Sequence, residues 1–185
     1  AQVSVMTSAQ LNAMTAVNLQ ALETVDVQEL TSSQLSGLSS TQLNRLTTEQ
    51  VQVLDATQIK GLGSAQINGL TSVTVQALTT VATNGLTTAQ MQSLSSNLLN
   101  RLTTEQVNAL TSTLLRSIAS TALQGLATEQ INALSSTQIQ SLISTQVARL
   151  TGTQLNGINT DQIAQLSSVQ ASALTSGQLN ALNSV

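Results

Sequence analysis

The sequence predicts an all-α solenoid in which every eight residues contribute one very short, capped helix. Three observations predict it: an octapeptide register that never slips, a capping-box pair at two fixed positions, and aliphatic residues flanking that box in row after row. The phrase LTTEQVNA at 102–109 returns as LTTEQVQV at 46–53 and as LATEQINA at 126–133.

Rows of eight counted from Met6 carry Leu, Ile or Met at position one in all 23 rows, through Leu182. Position six is Leu, Val, Ile or Met in 20 of 22 rows, with Thr83 and Ala171 the exceptions; two apolar positions per row are enough to build a shared core. Position two is Ser, Thr, Asp or Asn in 17 of 22 rows and position five is Gln in 15 of 22, which is the spacing of a capping box. Thr47 with Gln50, Thr103 with Gln106, and Ser135 with Gln138 are clear instances. In such a box the hydroxyl accepts from a backbone N–H, and the Gln side chain reaches back to the start of the helix. The residues at positions one and six then stand where a hydrophobic staple requires them. Each row therefore opens a new helix at position two or three and runs it for five to seven residues. Gly at position eight, as in Gly69 and Gly157, suits a helix stop, while Arg45 and Val53 at the same position show that the stop is not always left-handed.

One continuous helix is excluded because eight residues turn roughly 800°, which displaces the apolar stripe by about 80° per row. A thin β-solenoid is the alternative. It is disfavoured because positions one and six fall on opposite faces of a period-two pattern, and Leu, Gln and Ala are poor strand formers. A six-residue helix is only about 9 Å long and does not survive alone in water, so the rows must be stabilised collectively. Two octads per superhelical turn would make a flat ribbon and three a triangular rod.

The whole chain, 1–185, reads as a single octad solenoid, a segment of a longer array. A second period lies over the first: 14–69 and 70–125 align without gaps, so that LNRLTTEQV at 43–51 recurs at 99–107. Both ends interrupt a row at position four. Either the array continues, or open ends stack head-to-tail with a second copy of the chain.

The 185 residues include no Phe, Trp, Tyr, His, Cys or Pro, and only 7% are charged. Five basic residues scattered along the chain form no cluster for phosphate neutralisation, which argues against nucleic-acid binding. No apolar run approaches the roughly 18 residues of a membrane span, so membrane insertion is not expected. An apolar fraction of 41% is too high for a solvated tail.

The octad resembles the LTTxQVxA-type arrays of long bacterial adhesin-like, surface-associated proteins, along the whole chain. That resemblance implies an extracellular or cell-surface setting. LTTEQVNAL at 102–110 also looks like the LTPEQVVAIA opening of TAL effector repeats. The likeness covers only a capped helix start: the 34-residue period, second helix and base-reading loop of that family are missing, so DNA reading is not implied.

The chemistry on offer is sparse. Glu49, Glu105 and Glu129 share position four, in the first helical turn, where a carboxylate favours the helix dipole. Arg45 and Arg101 stand four residues earlier as candidate surface partners. Asp26, Asp55 and Asp161 have no ligand-like spacing, no His exists to activate a Ser or Thr, and nothing around Lys60 suggests a Ser–Lys pair. No enzyme, cofactor, metal or small-molecule substrate is expected. Leu98 and Leu114 replace Gln at position five with Leu99 and Leu115 beside them, a candidate apolar patch for self-association whose other reading is extra core filling. Serine and threonine at positions two and three form regular ladders. The expected function is a structural spacer or scaffold segment of a larger protein, and the alternative is recognition of an ice, mineral or glycan surface through those ladders.

Overall fold

A computed structural model describes residues 3–182. Among them are 21 short α-helices and two 3-10 turns, with no strand, so the all-α repeat architecture expected from the octad holds and the β alternative is excluded. The chain groups into two compact units, Ala1–Gln90 and Met91–Val185.

Each helix begins where the octad places it. Thr47 is extended and its side chain accepts from the Gln50 amide at 3.2 Å, while Gln50 Oε1 accepts from the Thr47 N–H at 2.9 Å. Thr7, Thr31, Asp55, Thr103, Ser135, Thr151, Asn159 and Ser167 repeat that reciprocal pair. Gly63, Ala127 and Ile143 offer no side-chain acceptor, and there only the returning bond to Gln Oε1 remains. The row from Ile118 to Gly125 has Ala119 at position two and Ala122 at position five, so it loses both halves of the box. It forms only the 3-10 turn Leu123–Gly125. Local sequence thus decides helix against turn, one row at a time.

In the first unit helices lie over those three rows earlier: Ser32–Ser36 carries Ala56–Lys60, and Thr48–Gln52 carries Ser72–Ala77. The second unit repeats the pattern, with Thr128–Asn132 under Gly152–Asn156 and Ser136–Ser141 under Thr160–Ala164. Side-chain bonds between coils span 25 residues at one corner and 31 and 28 residues elsewhere. Helices three rows apart and side-chain bonds of up to 31 residues put successive coils between three and four octads apart, which excludes the two-octad ribbon. Position-one and position-six aliphatics fill the interior, with Leu19, Leu35, Ile59, Leu99, Leu115 and Ile131 almost wholly enclosed.

Glycine at position eight has a different cause from the one expected. No glycine among the described residues has positive φ; Gly37, Gly69 and Gly157 are all right-handed. The requirement is proximity between coils. A Cβ on Gly125 would lie 2.2 Å from the Ser96 carbonyl oxygen, and one on Gly69 2.7 Å from Ser40 Cβ. Position eight of one coil meets position three of the coil before it, and a side chain there would push them apart.

Candidate functional site

The built feature of this molecule is the seam between coils, and its central residue is the glutamine at position five. Gln50 Nε2 donates to the carbonyl oxygens of Leu19 at 3.0 Å and Leu22 at 2.8 Å. Gln58 reaches Val27 and Leu30, and Gln90 reaches Ile59 and Leu62, each with two bonds of 3.0 Å or less. In the second unit Gln130 reaches Leu99 and Leu102, Gln146 reaches Leu115 and Ile118, and Gln178 reaches Val147 and Leu150. These acceptors close an earlier helix: the first of each pair also accepts from the N–H three residues on, as Leu19 does from Leu22, and the second lies just past the helix end. One glutamine therefore closes the start of its own helix with Oε1 and the end of a helix beneath with Nε2. Its burial follows, since Gln146 is 0% exposed and Gln42 and Gln50 are 2% exposed.

The capping box was legible in the sequence; the second bond was missed. The signal for it is the exclusion of glutamate from position five. A capping box accepts Glu as readily as Gln, yet all five glutamates of the chain stand elsewhere: Glu23 at position two, Glu29 at position eight, and Glu49, Glu105 and Glu129 at position four. Only the amide carries the donor that the carbonyls beneath demand.

Corners are tied in the opposite direction by position seven. Asn12 Nδ2 donates to the Gly37 carbonyl at 2.6 Å and its Oδ1 accepts from the Ser39 N–H at 2.9 Å. Asn44 makes the same pair with Gly69 and Thr71. Gln20 and Gln124 reach forward to Arg45 and Arg149, and Asn100 to Gly125.

Of the two readings of the leucine pairs, an apolar patch or extra core filling, burial favours core filling. Leu98 and Leu114 are 3% and 5% exposed, and Leu99 and Leu115 are wholly buried. Leucine at position five fills space where the amide would otherwise sit. The hydroxyl ladders are also engaged: position two caps helices, and position three is largely half-buried where coils meet, as Ser8 shows by donating from Oγ to the Gln34 carbonyl at 3.2 Å.

The Arg45 guanidinium donates to Gln42 Oε1 at 2.5 Å, so its expected pairing with Glu49 is replaced by a bond to the ladder. Hydrogen bonding to the helix-start backbone, then to Thr47, holds the exposed Glu49 carboxyl below its ordinary range; Glu105 is lowered in the same way by backbone and Thr103. Asp55 serves as an N-cap, accepting from the Gln58 amide, and Asp26 accepts from the Glu23 N–H. Among the described residues no three His, Cys, Asp or Glu side chains converge on a metal-sized site, and no helix is long and apolar enough to cross a membrane.

A repeat model described as the ALTTAQ repeat bears on this seam. Residues 19–56 match it. The ALTTAQ letters run from position eight to position five of the octad: a small corner residue, the core aliphatic, the cap, and the glutamine that ties coils. GLTTAQ at 85–90 is the same phrase in this chain. The match supports a repeat family for the segment that supplies the first Gln ties of unit one. A comparison with curated proteins finds no match to the chain.

Proposed function

We propose that the chain is a non-catalytic structural spacer or scaffold segment of a larger, secreted or surface-attached protein. The observation that carries this reading is the glutamine ladder. Position-five glutamines such as Gln50, Gln58, Gln146 and Gln178 are engaged in holding one coil to the next, and among the described residues they converge on no cavity where a substrate would sit. The surface setting rests on the resemblance to surface-associated octad arrays.

End-to-end association extends the same reading. At the last described coil Ile163, Leu166 and Leu174 are half-exposed and Leu179 is 47% exposed, around an open hollow of about 270 Å³ lined by Leu155, Ile158, Ile163 and Leu182. At the first described coil Met6, Met14 and Leu22 are half-exposed. A further coil with the same chemistry fits either face.

Replacing the segment in its parent protein by an unrelated repeat rod of equal length tests the spacer reading: retained function supports it, and lost function refutes it. Light scattering tests association separately, with a concentration-dependent mass expected and its abolition by Leu179→Lys. Exposed Thr113, Thr121, Thr137, Thr145 and Thr153, at position four, are among the hydroxyls open to surface recognition. Inhibition of ice recrystallisation or glycan binding that disappears when they are changed to Val would favour the binding reading instead.

A further inference from the structure

The first unit holds one seam that differs from the rest. Helix Thr80–Asn84 lies over helix Ala56–Lys60, and its position five is Ala82 rather than glutamine. By the spacing used elsewhere, the carbonyls of Val51 and Leu54 are those that an amide here would tie, and alanine supplies none. Position six is Thr83 in place of an aliphatic. It is 1% exposed, and its Oγ1 turns back to the Thr79 carbonyl at 2.9 Å, so it too sends nothing across.

The neighbouring row shows how such a loss is offset. Thr74 also replaces glutamine, but its Oγ1 donates to Asn44 Oδ1 at 2.9 Å, and Asn44 binds the Thr71 N–H and the Gly69 carbonyl as well. Neither Ala82 nor Thr83 has such a partner. Val51 and Leu54, whose carbonyls the missing amide would tie, help line an apolar cavity of about 10 Å³ in the coil beneath, together with Ile59, Leu62, Thr74 and Leu78. Its volume matches about one water, and an apolar site of that size stays empty, so its lining loses contacts outright. The corner of the same seam is closed hard: a Cβ on Gly85 would lie 2.5 Å from Ala56 Cα. A tight corner beside an untied side is the geometry of a hinge.

We infer that the seam of Thr80–Asn84 over Ala56–Lys60 is a built-in yielding joint, where the first unit opens before its other seams and pivots at Gly85. Use of the joint in an extensible spacer rests on the proposed function. The joint itself does not, because it is read from exchange of the isolated chain whether or not the chain acts as a spacer.

Hydrogen exchange followed by mass spectrometry of the full chain tests it. Amides of 79–86 are expected to exchange about tenfold faster than those of 55–62, since two lost side-chain ties lower the local opening free energy. Ala82→Gln is expected to bring the two segments within about threefold of each other. Gln58→Ala, which removes the ties to Val27 and Leu30, is expected to create a second fast segment at 55–62. Equal exchange in the unmodified chain overturns the inference. So does a Gln58→Ala chain whose 55–62 segment stays slow, and that measurement stands even if Ala82→Gln fails to fold.

Discussion

Changing Gln146 to Glu is the sharpest probe of the ladder, because it keeps the helix cap and removes only the tie. Gln146 Oε1 accepts from the Ile143 N–H at 3.0 Å, while Nε2 donates to the Leu115 and Ile118 carbonyls, both at 2.8 Å. The Leu115 carbonyl keeps the Ile118 N–H as a second donor at 3.2 Å. A glutamate preserves the first bond but sets a carboxylate oxygen against two carbonyl oxygens at a site with 0% exposure. An uncompensated buried charge costs about 3–5 kcal/mol. The protonated acid recovers one donor, leaving a deficit of about 1–2 kcal/mol from the second carbonyl. Burial and the facing carbonyls raise the folded-state pKa of the new carboxyl. Its penalty is therefore absent below the unfolded pKa of about 4.3, grows as pH rises, and is complete above the folded pKa. Urea unfolding followed by circular dichroism at pH 7 and pH 3.5 measures both limits, with each variant referred to the unmodified chain at the same pH. Gln10→Glu is the control, since Gln10 is exposed and its Nε2 ties nothing. Equal losses at the two positions, or a Gln146→Glu loss that does not shrink on acidification, would refute the two-ended role of the glutamine.

Gly125→Ala should cost about 1–3 kcal/mol by forcing coils apart, because the new Cβ would meet Ser96 backbone atoms at 2.2–2.6 Å. Gly177→Ala, in helix Ser176–Leu182 with nothing within 4 Å, should instead stabilise by about 0.5–1 kcal/mol; thermal melts of the pair decide whether proximity governs the corner glycines. Leu115→Ala should cost about 2–5 kcal/mol in urea unfolding through the cavity it opens, whereas Val73→Ala, at a site 70% exposed, should be nearly silent. Carbon-detected NMR titration of Glu49 should give a midpoint below the ordinary 4.5, moving upward in Thr47→Ala as one of its hydrogen bonds is lost. A depressed carboxyl of this kind favours the fold above its unfolded pKa, and that contribution fades as pH falls through the folded value.

Much of this architecture is written locally. Thr103 and Gln106 are three residues apart, so the cap they form is readable from a short window, and so is its failure at Ala119 and Ala122. What connects coils lies 25 to 31 residues away and depends on where the superhelix brings the chain back. No octad reports that pitch. The second bond of Gln50, the forward reach of Asn44, and the cause of Gly69 were hidden for that one reason. The leucines at 98 and 114 belong to the same class, since a residue that replaces a tie is exposed or buried according to the coil beside it.

Each amide is an address as well as a bond. Gln58 finds Val27 and Leu30 at 31 and 28 residues back, and Gln90 finds Ile59 and Leu62 at the same two intervals. Caps and core positions recur every eight residues, so an inserted octad offers the amide an equivalent pair of carbonyls, whereas an insertion of any other length does not. Copying errors are therefore sieved by length: whole octads pass and fragments are rejected.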